Sequence, residues 1–210
     1  VSRYGFYHLL EFVSIILSKC IEQTQENRPI YMSHYSVIFG NLSIFKFYLE
    51  KIKDPNIQNI IITAIENDYI NIVEYAFENL LQGQKRIDYE QFLQVSISSR
   101  KDDIFFFLLD KIEKIEPFPK MNLIQLLSEA CILKKVEVGK KIASLIHQHK
   151  KEDEKPDFSL PFYNAALSGS TELCRSFVDP NVYIDYRLIS LQVRELAAIN
   201  KDILEIIINN

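Results

Sequence analysis

Apolar residues recur along the chain in short blocks with i, i+3, i+4 spacing: IFKFYLEKI from Ile44, IVEYAFENL from Ile72, IFFFLLDKI from Ile104, VGKKIASLI from Val138, LCRSFV from Leu173 and ILEIIIN from Ile203. This spacing predicts six amphipathic helices, each with one apolar stripe. The six opening aliphatic residues, taken as anchors, stand 28, 32, 34, 35 and 30 residues apart. The pattern therefore repeats at roughly 32 residues, the range of helical repeat arrays. One residue before each anchor stand Ser43, Asn71, Asp103, Glu137, Glu172 and Asp202. Eight before it stand Ser36, Ala64, Ser96, Ala130, Ala165 and Glu195, and all but Glu195 are small.

Each unit reads as two short helices joined by a tight polar turn. The small residue on the first helix allows a neighbour to approach closely. The acidic or short polar residue at the start of the second complements its positive dipole end and its free N–H groups. Asn41, Ser170 and Asn200 are expected N-caps. A lone helix pair cannot cover its own apolar face, so stacking of neighbours is required. The predicted fold is all-α, an α-solenoid of about six helix-turn-helix repeats. Residues 1–28 lack the pattern. Their apolar stretch from Tyr7 to Ile21 predicts an N-terminal capping helix or an atypical first repeat, broken by Asn27, Arg28 and Pro29. The expected division is a cap over 1–28 and a repeat domain over 29–210.

Three stretches resemble the helical half of ankyrin repeats: Gly40 to Lys51 (GNLSIFKFYLEK), Ala64 to Asn79 (AIENDYINIVEYAFEN) and Ala165 to Val178 (AALSGSTELCRSFV). The resemblance covers about residues 31–210 and is most specific in the second helix and the turn before it. The TPLH tetrapeptide is absent, with His34 alone at its histidine place, and the turn glycine remains only at Gly40 and Gly169. Asp68, Arg100, Lys134 and Ile199 stand there instead, and no repeat ends in a Gly-Ala-Asp type hairpin segment. The segments between units range from about four residues (Lys53 to Asn56) to more than ten (His147 to Leu160), so loops are expected in place of hairpin fingers. A tetratricopeptide reading fits less well, because its Trp and Gly-Tyr marks are missing.

Composition narrows the function. Glycine and proline number five and seven in 210 residues, too few for an all-β design. The net charge of −4 gives no global field that would draw in nucleic acid. The apolar run Ile104 to Leu109 is far shorter than the roughly 18 residues that span a bilayer. Cys20, Cys131 and Cys174 form no CxxC pair and read as reduced core thiols, which points to a cytoplasmic setting, or a host cytosol for a secreted effector. His147 and His149, with Asp153 and Glu154, are too poorly arranged for a metal site, since i and i+2 do not share a helix face and the segment reads as a solvated loop. No GxSxG, GxGxxG or GxxxxGK[ST] motif is present. No catalytic residue, cofactor or metal ligand is therefore assigned, and the chain is expected not to be an enzyme.

Lys134, Lys135, Lys140, Lys141, Lys150 and Lys151 are the strongest charge cluster. They are read either as an ordinary solvated face or as a patch for phosphate groups, acidic lipid or an acidic partner, centred on Lys134, Lys135, Lys140 and Lys141. Phe105, Phe106 and Phe107 cannot share one helix face, so at least one must leave the core. The ankyrin resemblance implies a protein–protein interaction scaffold or adaptor. It would bind its partner on the concave side, through loops and the exposed positions nine and five before each anchor. On this chain those positions include Tyr35, Phe39, Thr63, Asn67, Val95, Ser99, Asn164, Ser168 and Arg194. The alternatives are a targeting or substrate-positioning arm of a larger pathogen effector or enzyme, and a structural subunit of a large assembly.

Overall fold

A computed structural model describes residues 28–81, 86–150, 155–186 and 201–208. The expected N-terminal cap, Asn200, Ile199 and Arg194 lie outside the described residues. Eleven helices and no strand occur among the described residues, so the chain is all-α there. They are α1 (Arg28–Ile38), α2 (Leu42–Leu49), α3 (Ile57–Glu66), α4 (Ile70–Asn79), α5 (Tyr89–Ser98), α6 (Asp102–Glu113), α7 (Leu123–Ile132), α8 (Val136–His149), α9 (Ser159–Ser168), α10 (Thr171–Phe177) and α11 (Lys201–Ile208). The first ten form five pairs, each joined by a turn of a few residues.

All five turns share one geometry. One or two residues after each first helix the chain enters the left-handed region: Gly40 (φ 69°), Asp68 (66°), Arg100 (60°), Lys134 (57°) and Gly169 (75°). The next residue, at Asn41, Tyr69, Lys101, Lys135 and Ser170, has φ between −84° and −102° with ψ near 80° and N-caps the second helix. Its N–H donates to the carbonyl of the small residue five positions back, at 2.8–2.9 Å: Asn41 to Ser36, Tyr69 to Ala64, Lys101 to Ser96, Lys135 to Ala130 and Ser170 to Ala165. A second bond, from the left-handed residue to the carbonyl three back, accompanies each one at 3.0–3.2 Å. This is the Schellman C-cap, which satisfies carbonyls that a helix end otherwise leaves free.

The small residues Ser36, Ala64, Ser96, Ala130 and Ala165 are completely buried. Ser36 and Ser96 turn their hydroxyls onto the carbonyls of Ser33 and Leu93, so neither polar group is stranded. Five of the six anchors are also buried, namely Ile72, Ile104, Val138, Leu173 and Ile203, while Ile44 is half-buried. Of the expected N-caps, Asn41 accepts from the Ile44 N–H at 3.0 Å, whereas Ser170 holds the N-cap position without a side-chain bond. Asn56 and Asn122 cap first helices in the same way, accepting from Asn59 and Gln125 at 3.0 and 3.1 Å.

The chain divides into two compact units, Val1–Asp88 and Tyr89–Asn210. In the first, α1 packs on α2, α3 on α4, and α1 on α3. Phe45 of α2 meets Tyr75 of α4 edge-on, with centroids 6.1 Å apart, and the Lys46 ammonium lies 4.2 Å from the Tyr75 ring. In the second, first helices pack on first helices (α5 on α7, α7 on α9) and second on second (α6 on α8, α8 on α10, α10 on α11). Its core is lined by Phe92, Phe105, Phe158, Phe162 and Phe177, all fully buried. Of the phenylalanine triplet, Phe105 is in the core, Phe106 is partly exposed and lies edge-on to Phe105, and Phe107 carries Lys111 at 5.4 Å.

Loops join the pairs. The loop before α9 meets the segment after α10 in a single bridge, in which Phe158 donates to the Tyr183 carbonyl and Tyr183 to the Pro156 carbonyl. The segment from His147, expected as a loop, is helical through His149. Burial of Leu145 and Ile146 carries α8 three further residues, and imidazoles suit the negative C-terminal end.

The turns make a direct prediction. A Cβ at Gly169 would meet nothing within 4 Å, so Gly169→Ala bears only the backbone cost of positive φ, about 1 kcal/mol. A Cβ at Gly40 would run into the Tyr69 ring, so Gly40→Ala loses clearly more. Arg100→Gly and Lys134→Gly each gain about 0.5 kcal/mol, because relief of the strain exceeds the added chain entropy. Urea unfolding of the four variants checks the order.

Candidate interaction surface

The exposed face of the first helices follows from helix geometry. At 100° per residue, positions six, ten and thirteen before the anchor fall opposite the buried small residue at minus eight, whereas minus nine and minus five flank it. The outward row is therefore Tyr31, His34 and Ile38 on α1; Asn59, Ile62 and Glu66 on α3; Gln91, Gln94 and Ser98 on α5; Gln125, Ser128 and Ile132 on α7; and Leu160, Tyr163 and Leu167 on α9. All are exposed or half-exposed except Ser128, which is buried.

Of the positions carried over from the ankyrin resemblance, Thr63 and Asn164 are not exposed as expected. Asn67 is exposed, but it follows α3, and its amide donates back to the Thr63 carbonyl at 2.8 Å. Tyr35, Phe39, Val95, Ser99 and Ser168 are half-buried, and Thr63 and Asn164 are buried at 8% and 9% exposure. Among the described positions only Thr63 and Asn164 are thus withdrawn from solvent, while the others keep part of their surface exposed. The missed signal was in the sequence: a strip of residues at i, i+3 and i+7 with almost no charge.

Charge separates the two helix sets. Along the outward row of the first helices Glu66 is the single ionisable carboxylate or amine, and His34 the single imidazole. Every second helix from α2 to α10 exposes at least one formal charge: Lys46 on α2, Glu74 and Glu78 on α4, Asp103 and Asp110 on α6, Glu137 on α8, Glu172 and Arg175 on α10. Large exposed apolar side chains occur on both sets, with Phe47, Ile70, Phe106 and Ile208 on second helices and Tyr31, Ile132, Leu160 and Leu167 on the row. In the second unit Ile132, Leu160 and Leu167 are exposed to 57%, 50% and 40%, on the adjacent helices α7 and α9.

The lysine cluster is largely neutralised. Lys135 reaches Asp102 at 2.8 Å, Lys141 reaches Glu113 at 2.7 Å, and Lys140 bridges Glu137 and Glu172 at 3.2 and 2.5 Å. These carboxylates hold the Lys140 ammonium above its ordinary range, and Lys114 beside Asp110 holds that carboxyl below its own. Most of these pairs join one helix pair to the next, 28 to 33 residues apart, and being largely solvated they set register more than stability. Lys151 lies outside the described residues, and among those described the expected positive patch reduces to Lys134, at its left-handed turn, and to Lys150, which stands with Lys120 and Lys155 at the edge of a cleft of about 670 Å³ that also contains Phe118, His149 and Asp157.

His147 and His149 go to different aromatics. His149 stacks on Phe118 at 4.0 Å, and His147 tilts against Phe158 at 5.8 Å. No group of three or more histidine, cysteine or acidic side chains is placed to hold a metal among the described residues. No described helix is long and apolar enough to cross a membrane. Cys131 and Cys174 are free and fully buried, and burial pushes the Cys131 thiol far up and the Cys174 thiol up to about 12. Protonated, shielded thiols are poor nucleophiles.

The thiols give a test of this packing. With Cys20 replaced by serine, neither remaining thiol should react with DTNB at pH 8 until the protein unfolds, and prompt labelling of either would contradict the burial. Because both folded values lie above the 9.0 of an exposed thiol, the contribution is complete below pH 9 and declines as pH rises beyond it. The loss is up to ~1.4 kcal/mol per pH unit for each thiol. Replacing Cys174 with alanine should make the alkaline decline in unfolding free energy shallower. No protein-family model, curated protein or solved structure matches the chain.

Proposed function

We propose that the chain is a non-enzymatic protein–protein interaction module built of ankyrin-like repeats, which carries its partner on the outward faces of the first helices within each unit. The observation that supports this reading is the one-sided loss of charge. Depletion of charged residues with retention of aromatic and aliphatic ones distinguishes the centre of a protein interface from ordinary surface. A merely solvated row would carry the mixture of lysine and carboxylate found on the second helices. The Schellman turns support the role mechanically, since each locks its helix pair and so presents the row without a large ordering cost on binding.

Affinity on such a surface is expected to concentrate in a few side chains, with Ile132, Leu160, Leu167 and Tyr31 first among them. The experiment is site-specific photocrosslinking of the full chain in its native lysate. Probes replace Gln94, Ile132 and Leu167 on the first helices, or Glu74, Asp110 and Arg175 on the second. One protein crosslinked from the first set and not from the second is the expected result. Ile132→Arg with Leu167→Arg should weaken its capture at least tenfold while far-UV circular dichroism stays unchanged. Equal crosslinking from both sets would overturn the assignment of the face.

A further inference from the structure

Among the described residues, one buried side-chain oxygen stands without a hydrogen-bond partner. Ser33 on α1 is 2% exposed, and its Oγ has no hydrogen-bond partner among the described residues. The neighbouring Ser36 hydroxyl donates to the Ser33 carbonyl, not to this oxygen. A buried hydroxyl left unpaired is costly, and native proteins keep few of them. Ser33 also lines a cleft of about 370 Å³ between α1, the loop after α2 and the start of α3, within the first unit. This volume lies in the range of small ligand sites.

The cleft has a definite chemistry. Ile30, Tyr31, Ile52, Pro55 and Ile60 supply apolar walls, Ser33 the buried hydroxyl, and His34, Asp54, Asn56 and Asn59 the remaining polar lining. The Asn56 carbonyl oxygen is already used to cap α3. No lysine or arginine lines the cleft and Asp54 does, so an anion is disfavoured. An ammonium would be drawn to the exposed Asp54 carboxylate and leave the buried Ser33 hydroxyl as it is. A purely hydrocarbon group would fill the walls and leave Ser33 as it is. What fits is a flat apolar body ending in a single neutral hydroxyl. Tyr31 and His34 belong both to this cleft and to the outward row of α1, so the cleft lies beside the proposed docking row.

We infer that the Ser33 cleft is an anchor pocket for a tyrosine side chain of the partner polypeptide, whose phenol hydroxyl hydrogen-bonds the Ser33 Oγ. This inference rests on the interaction-module reading and adds to it a residue type that the partner must present. Insertion would bury the ring against the isoleucines and satisfy the stranded oxygen in one event, which is how aromatic anchors come to dominate an interface.

The test needs no partner. N-acetyl-L-tyrosinamide and N-acetyl-L-phenylalaninamide differ only by the hydroxyl, and their binding to the full chain can be followed by two-dimensional NMR. The tyrosine amide should shift resonances at residues 30–34 and 52–60 and bind about fivefold tighter than the phenylalanine amide, the worth of one net hydrogen bond. In Ser33→Ala the preference should vanish, while the variant melts at the same temperature as the parent or higher. Ile60→Phe, which fills the cleft, should weaken both ligands. Equal binding of the two amides, a preference that survives Ser33→Ala, shifts confined to other residues, or no binding of either would overturn the pocket. Each of these results leaves the crosslinking test of the docking row standing, because its probes lie on other helices.

Discussion

A helix pair of this kind can close only if the chain reverses within three residues while the last carbonyls of the first helix still find donors. One residue at positive φ achieves this, followed by an extended residue whose N–H reaches back five positions. Much else in the fold depends on that bond. It places the small residue, whose carbonyl accepts it, at a fully buried position. It aims the second helix back along the first, and so brings the anchor stripe against the pair. The contacts among first helices and among second helices within each unit are downstream of that geometry.

The two helix sets then divide the labour of the surface. Second helices carry the charges, many of them paired with a carboxylate or amine one repeat away, which discourages slippage of one pair against the next. The outward faces of the first helices carry, Glu66 apart, amides, hydroxyls, rings and aliphatic side chains. A surface of this second kind has little to lose in desolvation when covered, because few ions must be stripped of water. The same contrast bears on specificity: with little long-range field on the docking face, recognition falls to shape and to local hydrogen bonds such as the one available at Ser33.

Much of the helical architecture was legible in the sequence. The anchors, the small residue eight before them and the polar turn are local features, and their recurrence located all five described pairs. Even the non-glycine turns at Asp68, Arg100 and Lys134 could be placed by register against Gly40 and Gly169. The surface was read less well. Thr63 and Asn164 were assigned to solvent through the resemblance, and a rotation of about 100° about the helix axis puts them beside the small residue instead. The partners of Lys135, Lys140 and Lys141 lie 28 to 33 residues away, so counting charges in one window showed a patch where the fold makes pairs. The Ser33 cleft depends on where residues 52–56 lay themselves over α1, which no periodicity encodes.

The mixture of glycine and bulkier residues at the five turns has a thermal consequence. At Gly40 and Gly169 the cost of the turn is chiefly the wide conformational freedom that glycine gives up on folding, a term that grows in proportion to absolute temperature. At Asp68, Arg100 and Lys134 the cost is chiefly steric crowding of the Cβ, which changes little on warming. Heating therefore erodes the glycine turns faster than the crowded ones. The weakest joint in the array need not be the same joint in the cold and in the heat.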